Sequence, residues 1–157
     1  MSSETAAGAT PDAVAPTTGL GVLHLFCRVG PGTDREAVVR AVKEAQGGGT
    51  QVVTAAMLGH KADVGVLALG PDLRALRSLQ TALRLAGLEI AGSYVSLTEV
   101  SEYAAGVPEQ LKQARLFPQL PPEGKRAFCF YPMSKRRAPG AGGSPRRPST
   151  RSKCACR

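Results

Sequence analysis

The chain has 157 residues, 43% of them apolar and 20% charged, with 20 Lys and Arg against 12 Asp and Glu for a formal net charge of +8. That length holds one domain with tails, no apolar run approaches a membrane span, and the start has neither the basic region nor the apolar core of a secretory signal. A cytoplasmic address is therefore expected. The charge is uneven: residues 1–124 carry ten Lys/Arg and twelve Asp/Glu, whereas residues 125–157 carry ten Lys/Arg and no acid, so a neutral body precedes a basic end.

Residues 1–19 are small, polar and proline-interrupted, and they bury too little to offset ordering entropy, which predicts a flexible leader. GLGVLHLFCRV (19–29) is continuously apolar. It reads as a strand covered on both faces, with Leu23, Leu25 and Cys27 on one side and Val22, His24 and Phe26 on the other. GPGTD supplies a turn and a helix cap through Thr33 or Asp34. In the helix that follows, Val38, Ala41, Val42 and Ala45 recur at helical spacing, and the glycines at 47–49 end it.

TQVVTAAML (50–58) and ADVGVLAL (62–69) are two apolar runs separated by GHK, a hairpin pattern. A second helix carries Asp72 in its first turn and Leu73, Leu76, Leu79, Leu83 and Ala86 on one face, with Gly87 at its end. IAGSYVSLTEV (90–100) supplies a fourth strand in which Val95 and Leu97 alternate against Ser96 and Thr98.

The order β-α-β-β-α-β is that of a ferredoxin-like α+β unit, with both helices on one sheet face. Because several strands are apolar on both sides, the other face needs a cover. A second sheet is predicted there, making the unit half of a dimeric α+β barrel. The expected organisation is a leader at 1–19, the ferredoxin-like domain at 20–104, a segment at 105–137 holding a linker, a further strand (RAFCFY) and a loop, and a disordered basic tail at 138–157.

Four cysteines do not make a framework. Cys27 and Cys129 lie in apolar runs and read as small buried hydrophobes, while Cys154 and Cys156 lack the second pair that a zinc site needs. No metal site is expected, and His24 and His60 read as structural.

The chemistry-bearing text is CFYPMSKRR (129–137). On residue type alone Tyr131 reads as a half-buried strand-end tyrosine. Lys135, Arg136 and Arg137 read as a solvated charge run, with polyanion binding the second reading. Arg115 reads as a partner for the last carbonyls of a short helix over VPEQLKQA.

SYVSLTEVSEY (93–103), ARLFPQLP (114–121) and CFYPMSKRR together resemble the chlorite dismutase-like family, and within it the hydrogen-peroxide-dependent heme synthases, the coproheme decarboxylases. HKADVGVLALGPDL (60–73) is similar to the family's hairpin and second helix. The resemblance covers about residues 20–138. It implies subunits of two ferredoxin-like halves assembled as homo-oligomers, commonly pentamers, with iron coproporphyrin III (coproheme) and hydrogen peroxide as partners. It also implies Tyr131 as the radical-forming tyrosine, Lys135 as a propionate contact that assists the second decarboxylation, Met133 at the porphyrin rim, and Arg115 and Tyr94 as propionate partners. The physical logic agrees, because cationic side chains orient a carboxylate by charge-assisted hydrogen bonds.

The family's heme-ligating histidine and the Asn-Trp-Tyr that follows YPMSK belong to the second half. The expectation is thus an N-terminal half whose tail, rich in Ala, Gly, Pro, Arg, Ser and Cys, reads as out-of-frame translation. Weak porphyrin adhesion without turnover follows for this chain alone. Alternatives from the residues are a catalytically silent ferredoxin-like dimerisation module, a chlorite-decomposing heme enzyme and, last, a nucleic-acid binder.

Overall fold

A computed structural model of the chain describes residues 13–100 and 106–132. Strand β1 (Gly21–Val29) is the run of alternating, doubly apolar residues and takes a central position. Helix α1 (Arg35–Gly47) begins where the Asp34 carboxylate accepts from the Ala37 N–H at 2.9 Å, which satisfies one of the orphan donors of the first turn. Strands β2 (Gln51–Ala56) and β3 (Val64–Gly70) form the hairpin, and helix α2 (Leu73–Leu85) leads into β4 (Leu88–Leu97). A third helix, α3 (Glu109–Leu116), follows. The four strands lie in the order β2-β3-β1-β4, every neighbouring pair antiparallel, which is the ferredoxin-like order that the sequence implied.

Strand alternation divides the apolar residues between two cores. On the helix face, Leu23, Leu25 and Cys27 meet Val66, Ala68 and Val52, together with Ala41 of α1 and Leu76, Leu79 and Leu83 of α2. Cys27 is fully buried there, and burial pushes its thiol up, so it behaves as the small hydrophobe expected. On the opposite face, Leu20, Val22, Leu67 and Leu69 are covered by Leu120 and Phe128. The β1–β4 register slips between Phe26 and Cys27, where Ala91 falls outside the pairing. That bulge lets Ile90 pack with the helix-face core while Gly92 lies opposite Phe26 on the other face.

Four readings change. Asp72 is the N-cap of α2 rather than a first-turn residue, and its carboxyl is held below the usual range by the backbone N–H groups of Arg74 and Val14. Val14, read as part of a flexible leader, is thereby tied to α2; its own carbonyl accepts from Leu73 N at 2.9 Å. Val95 and Leu97 stand 70% and 51% exposed, because β4 is an edge strand and the helix layer does not cover this end of it. The loop between β2 and β3 is longer than GHK and spans residues 57–63. The expected disorder of residues 138–157 lies outside the described residues.

Gly87 closes the connection from α2 to β4. Its φ is +88°, and an added Cβ would sit 2.5 Å from the Gly32 carbonyl oxygen, where Thr33 Oγ1 also donates to the Gly87 carbonyl. Both the left-handed backbone and the close approach favour glycine. Gly87→Ala is expected to destabilise the fold by more than ~1 kcal/mol, measured as a lower urea midpoint. Gly47→Ala, with open space around the new methyl, is the control and should not lower it.

Candidate functional site

The segment after α3 crosses the sheet face that the helices leave open. It is pinned at two points. Thr98 accepts from the Leu20 N–H at 2.7 Å and donates to the Leu116 carbonyl at 2.7 Å, which fixes the end of α3 against β1 and β4. Gln51 of β2 donates to the Pro118 carbonyl at 3.0 Å and accepts from the Leu120 N–H at 2.7 Å, so one amide side chain holds both sides of the proline turn. From there residues 125–132 run over β1 and β4 without regular secondary structure.

RAFCFY is therefore not the further strand that its composition predicts. It passes across a sheet face, where no strand edge is available for a ladder. The alternation survives in the side chains. Phe128 and Phe130 are partly buried against the sheet, and Cys129 between them is exposed, which corrects its reading as a buried hydrophobe. Among the described residues the cover of this face is the crossing strap, rather than a second sheet.

The strap completes an aromatic cluster. His24 and Tyr94 are cross-strand partners, so their side chains share the face. Phe130 lies 4.9 Å from Tyr94, 4.9 Å from Phe26 and 5.0 Å from His24 between ring centroids, and Phe26 meets Tyr94 edge-on at 6.3 Å. Phe128 reaches His24 at 6.4 Å. Such separations are those of favourable aromatic pairs. Tyr131, next to Phe130 in the chain, is 46% exposed.

Of the five site residues drawn from the sequence, Tyr94 lies in this cluster and Tyr131 follows Phe130 in the chain. Arg115 is exposed in the last turn of α3, and no carboxylate pairs with it among the described residues. It is joined to β4 through Leu116 and Thr98, four residues or roughly 13 Å along the chain from Tyr94. Met133 and Lys135 lie outside the described residues. Sequence reasoning missed the contributions of His24, Phe26, Phe128 and Phe130 to one cluster. The parity of His24 with Phe26, and of Phe128 with Phe130, was the available signal, but nothing local says that the two pairs meet.

Among the described residues no group of three or more His, Cys, Asp or Glu is arranged to hold a metal ion. His24 is 1% exposed, packed with Phe128 and Phe130, and His60 is exposed in the β2–β3 loop. The described residues thus provide one aromatic wall, but no imidazole open to a planar group on that wall.

The chlorite dismutase family model matches residues 33–138, about two thirds of the chain. The chain belongs to the chlorite dismutase family. Within that family it is 38% identical over 125 residues to a protein of Natronomonas pharaonis named for heme binding, covering 69% of this chain and 20% of the relative. A Haloarcula marismortui protein of the same description is 40% identical over 116 residues, 63% of this chain and 17% of the relative. The coproheme decarboxylase of Staphylococcus carnosus is 39% identical over 89 residues, 50% of this chain and 35% of the enzyme. A solved structure of a heme-binding protein from Thermus thermophilus superposes with a TM-score of 0.53 at 25% identity, covering 82% of this chain and 62% of that one. The chain thus spans about a fifth to a third of the length of these curated relatives. Chlorite dismutase-family membership and the ferredoxin-like fold agree, and no helix among the described residues is long and apolar enough to cross a membrane.

Proposed function

We propose that this member of the chlorite dismutase family acts in heme biosynthesis as part of a coproheme decarboxylase, converting two propionates of iron coproporphyrin III to vinyl groups with hydrogen peroxide. The observation that carries the reading is Tyr131, a half-exposed phenol one residue past Phe130 of the Phe26–Tyr94–Phe130 cluster, within the segment that is matched by the family model. The similarity to the Staphylococcus carnosus enzyme supports it.

For each propionate the balance is one carboxyl-ethyl group and one peroxide giving a vinyl group, carbon dioxide and two waters. A hydrogen leaves the β-carbon, and the bond to the carboxyl carbon breaks. When bound, the iron porphyrin supplies the oxidising equivalents. The chain's own residues do the rest. The aromatic wall excludes water from one side of the ring. Arg115 and Lys135 hold propionate oxygens by charge-assisted hydrogen bonds, Met133 packs at the rim, and Tyr94 contacts a propionate. Tyr131 Oη, having lost its hydrogen, takes one from the β-carbon. Among the described residues no imidazole is open to the iron, and its ligand would come from the second half that the resemblance implies, in a homo-oligomer.

Coproheme titrated into the purified chain tests this reading. A shift of the Soret band that saturates, and that weakens in Arg115→Ala, is expected. An unchanged spectrum at excess chain, or equal binding by porphyrins with and without propionates, would sink it. Peroxide added to coproheme with this chain and that second half together distinguishes decarboxylation from heme binding, the property for which the archaeal relatives are named.

A further inference from the structure

Among the described residues His24 is the side chain whose polar atoms are buried without a partner: neither Nδ1 nor Nε2 makes a hydrogen bond. An unmet buried polar atom costs more than a typical hydrogen bond contributes. The ring is 1% exposed, and its neighbours among the described residues are uncharged. Leu67 of β3 and Tyr94 of β4 are its cross-strand partners, and Phe128 and Phe130 cover it from the strap. Tyr94 is the titratable group among these. Among the described residues no carboxylate faces the ring to compensate an imidazolium.

The strap is fastened unevenly. Gln51 binds it at Pro118 and Leu120, and Lys125 N donates to the Pro122 carbonyl at 3.1 Å. Beyond that, residues 126–131 make no hydrogen bond to the sheet among the described residues. Phe128 and Phe130 hold them by packing alone, and the packing surface includes the His24 ring. Segments with few hydrogen bonds and few buried contacts open at low free-energy cost.

We propose that His24 is a positioning residue for Tyr131 and works as a pH-dependent latch, its neutral imidazole keeping Phe128, Phe130 and hence Tyr131 on the sheet and its protonation releasing residues 125–131. The consequence for chemistry rests on the reading of Tyr131 given above, whereas the latch itself is a property of the porphyrin-free chain. Burial lowers the His24 pKa from its ordinary value of 6.5. Above that value the ring is neutral whether the strap is closed or open, and the closed state is favoured in full. Below it the open state binds a proton that the closed state does not, so the open-to-closed ratio rises by up to ~10-fold per pH unit until the closed form's own, lower pKa is passed.

The test is fluorine NMR on the full chain with fluorophenylalanine at its four phenylalanines, titrated from about pH 8 to about pH 5. The Phe128 and Phe130 resonances are expected to move to a solvent-exposed position together, with the same midpoint as the His24 ring protons, while Phe117 stays put and β1 amides remain protected from exchange. In His24→Leu the two resonances should hold their closed position throughout. His24→Phe serves if that variant does not fold. The latch is overturned by wild-type resonances that do not move, by the same movement in either variant, by a separate His24 midpoint, or by movement seen only as β1 protection collapses. Because no porphyrin is present, a failed Soret titration leaves this outcome standing, and a failed latch leaves porphyrin binding standing.

Discussion

Tyr131→Phe is expected to abolish vinyl formation while leaving coproheme bound. The substitution removes the phenolic hydrogen and one oxygen from a side chain that is already 46% exposed, and the neighbouring Phe130 keeps its contacts with Phe26 and Tyr94. Loss of the reacting atom without loss of the wall affects turnover rather than affinity, which is the behaviour of a group needed in the transition state alone. The assay supplies coproheme, peroxide and the unmatched remainder of the Staphylococcus carnosus enzyme, and reads products by mass: each completed decarboxylation removes one carboxyl group. Lys135→Ala should accumulate the product with one vinyl and three propionates. Vinyl formation at the parental rate in Tyr131→Phe would remove the tyrosine from the mechanism.

Leu83→Ala is expected to lower stability by about 2–5 kcal/mol, the usual cost of emptying a leucine site in a packed core. Leu83 is fully buried on α2, in one cluster with Leu25, Cys27, Leu76 and Leu79. A small domain has only some 5–15 kcal/mol in total, so the urea midpoint should fall by a molar or more at the slopes typical of such chains. Leu85→Ala, two residues away and 84% exposed, should stay within about 0.5 kcal/mol of the parent. Equal losses at the two positions would mean that α2 does not pack through the face described.

Much of this core was legible because its signals are local. The period of Leu76, Leu79 and Leu83 places α2, and the alternation in β1 places Leu23, Leu25 and Cys27 together. Asp34 could be found because a short acceptor before an apolar stripe is the chemistry that an unpaired first turn requires, whereas Asp72 was placed one position too far into its helix. The YPMSK text likewise marked Tyr131, and the arginine of RLFP marked Arg115.

The candidate site depended on contacts between distant parts of the chain. His24 meets Phe128 and Phe130, and Gln51 reaches Pro118 and Leu120, across separations that periodicity does not register. Cys129 shows the limit most plainly. An apolar run predicts burial on average, but which of Phe128, Cys129 and Phe130 is buried depends on the side from which the strap meets the sheet. The same holds for Val95 and Leu97, whose alternation is that of a covered strand although the helix layer stops short of them. From its sequence alone this protein has the four strands and two helices of its ferredoxin-like unit, their order, the Asp34 cap and its family, since each rests on residues within one or two turns or on a contiguous motif. The tertiary structure decided that the open sheet face is roofed by the strap, that His24 lies under it without a hydrogen-bond partner, and that Tyr131 is half-exposed, because burial and register across a sheet are properties of the assembled layers.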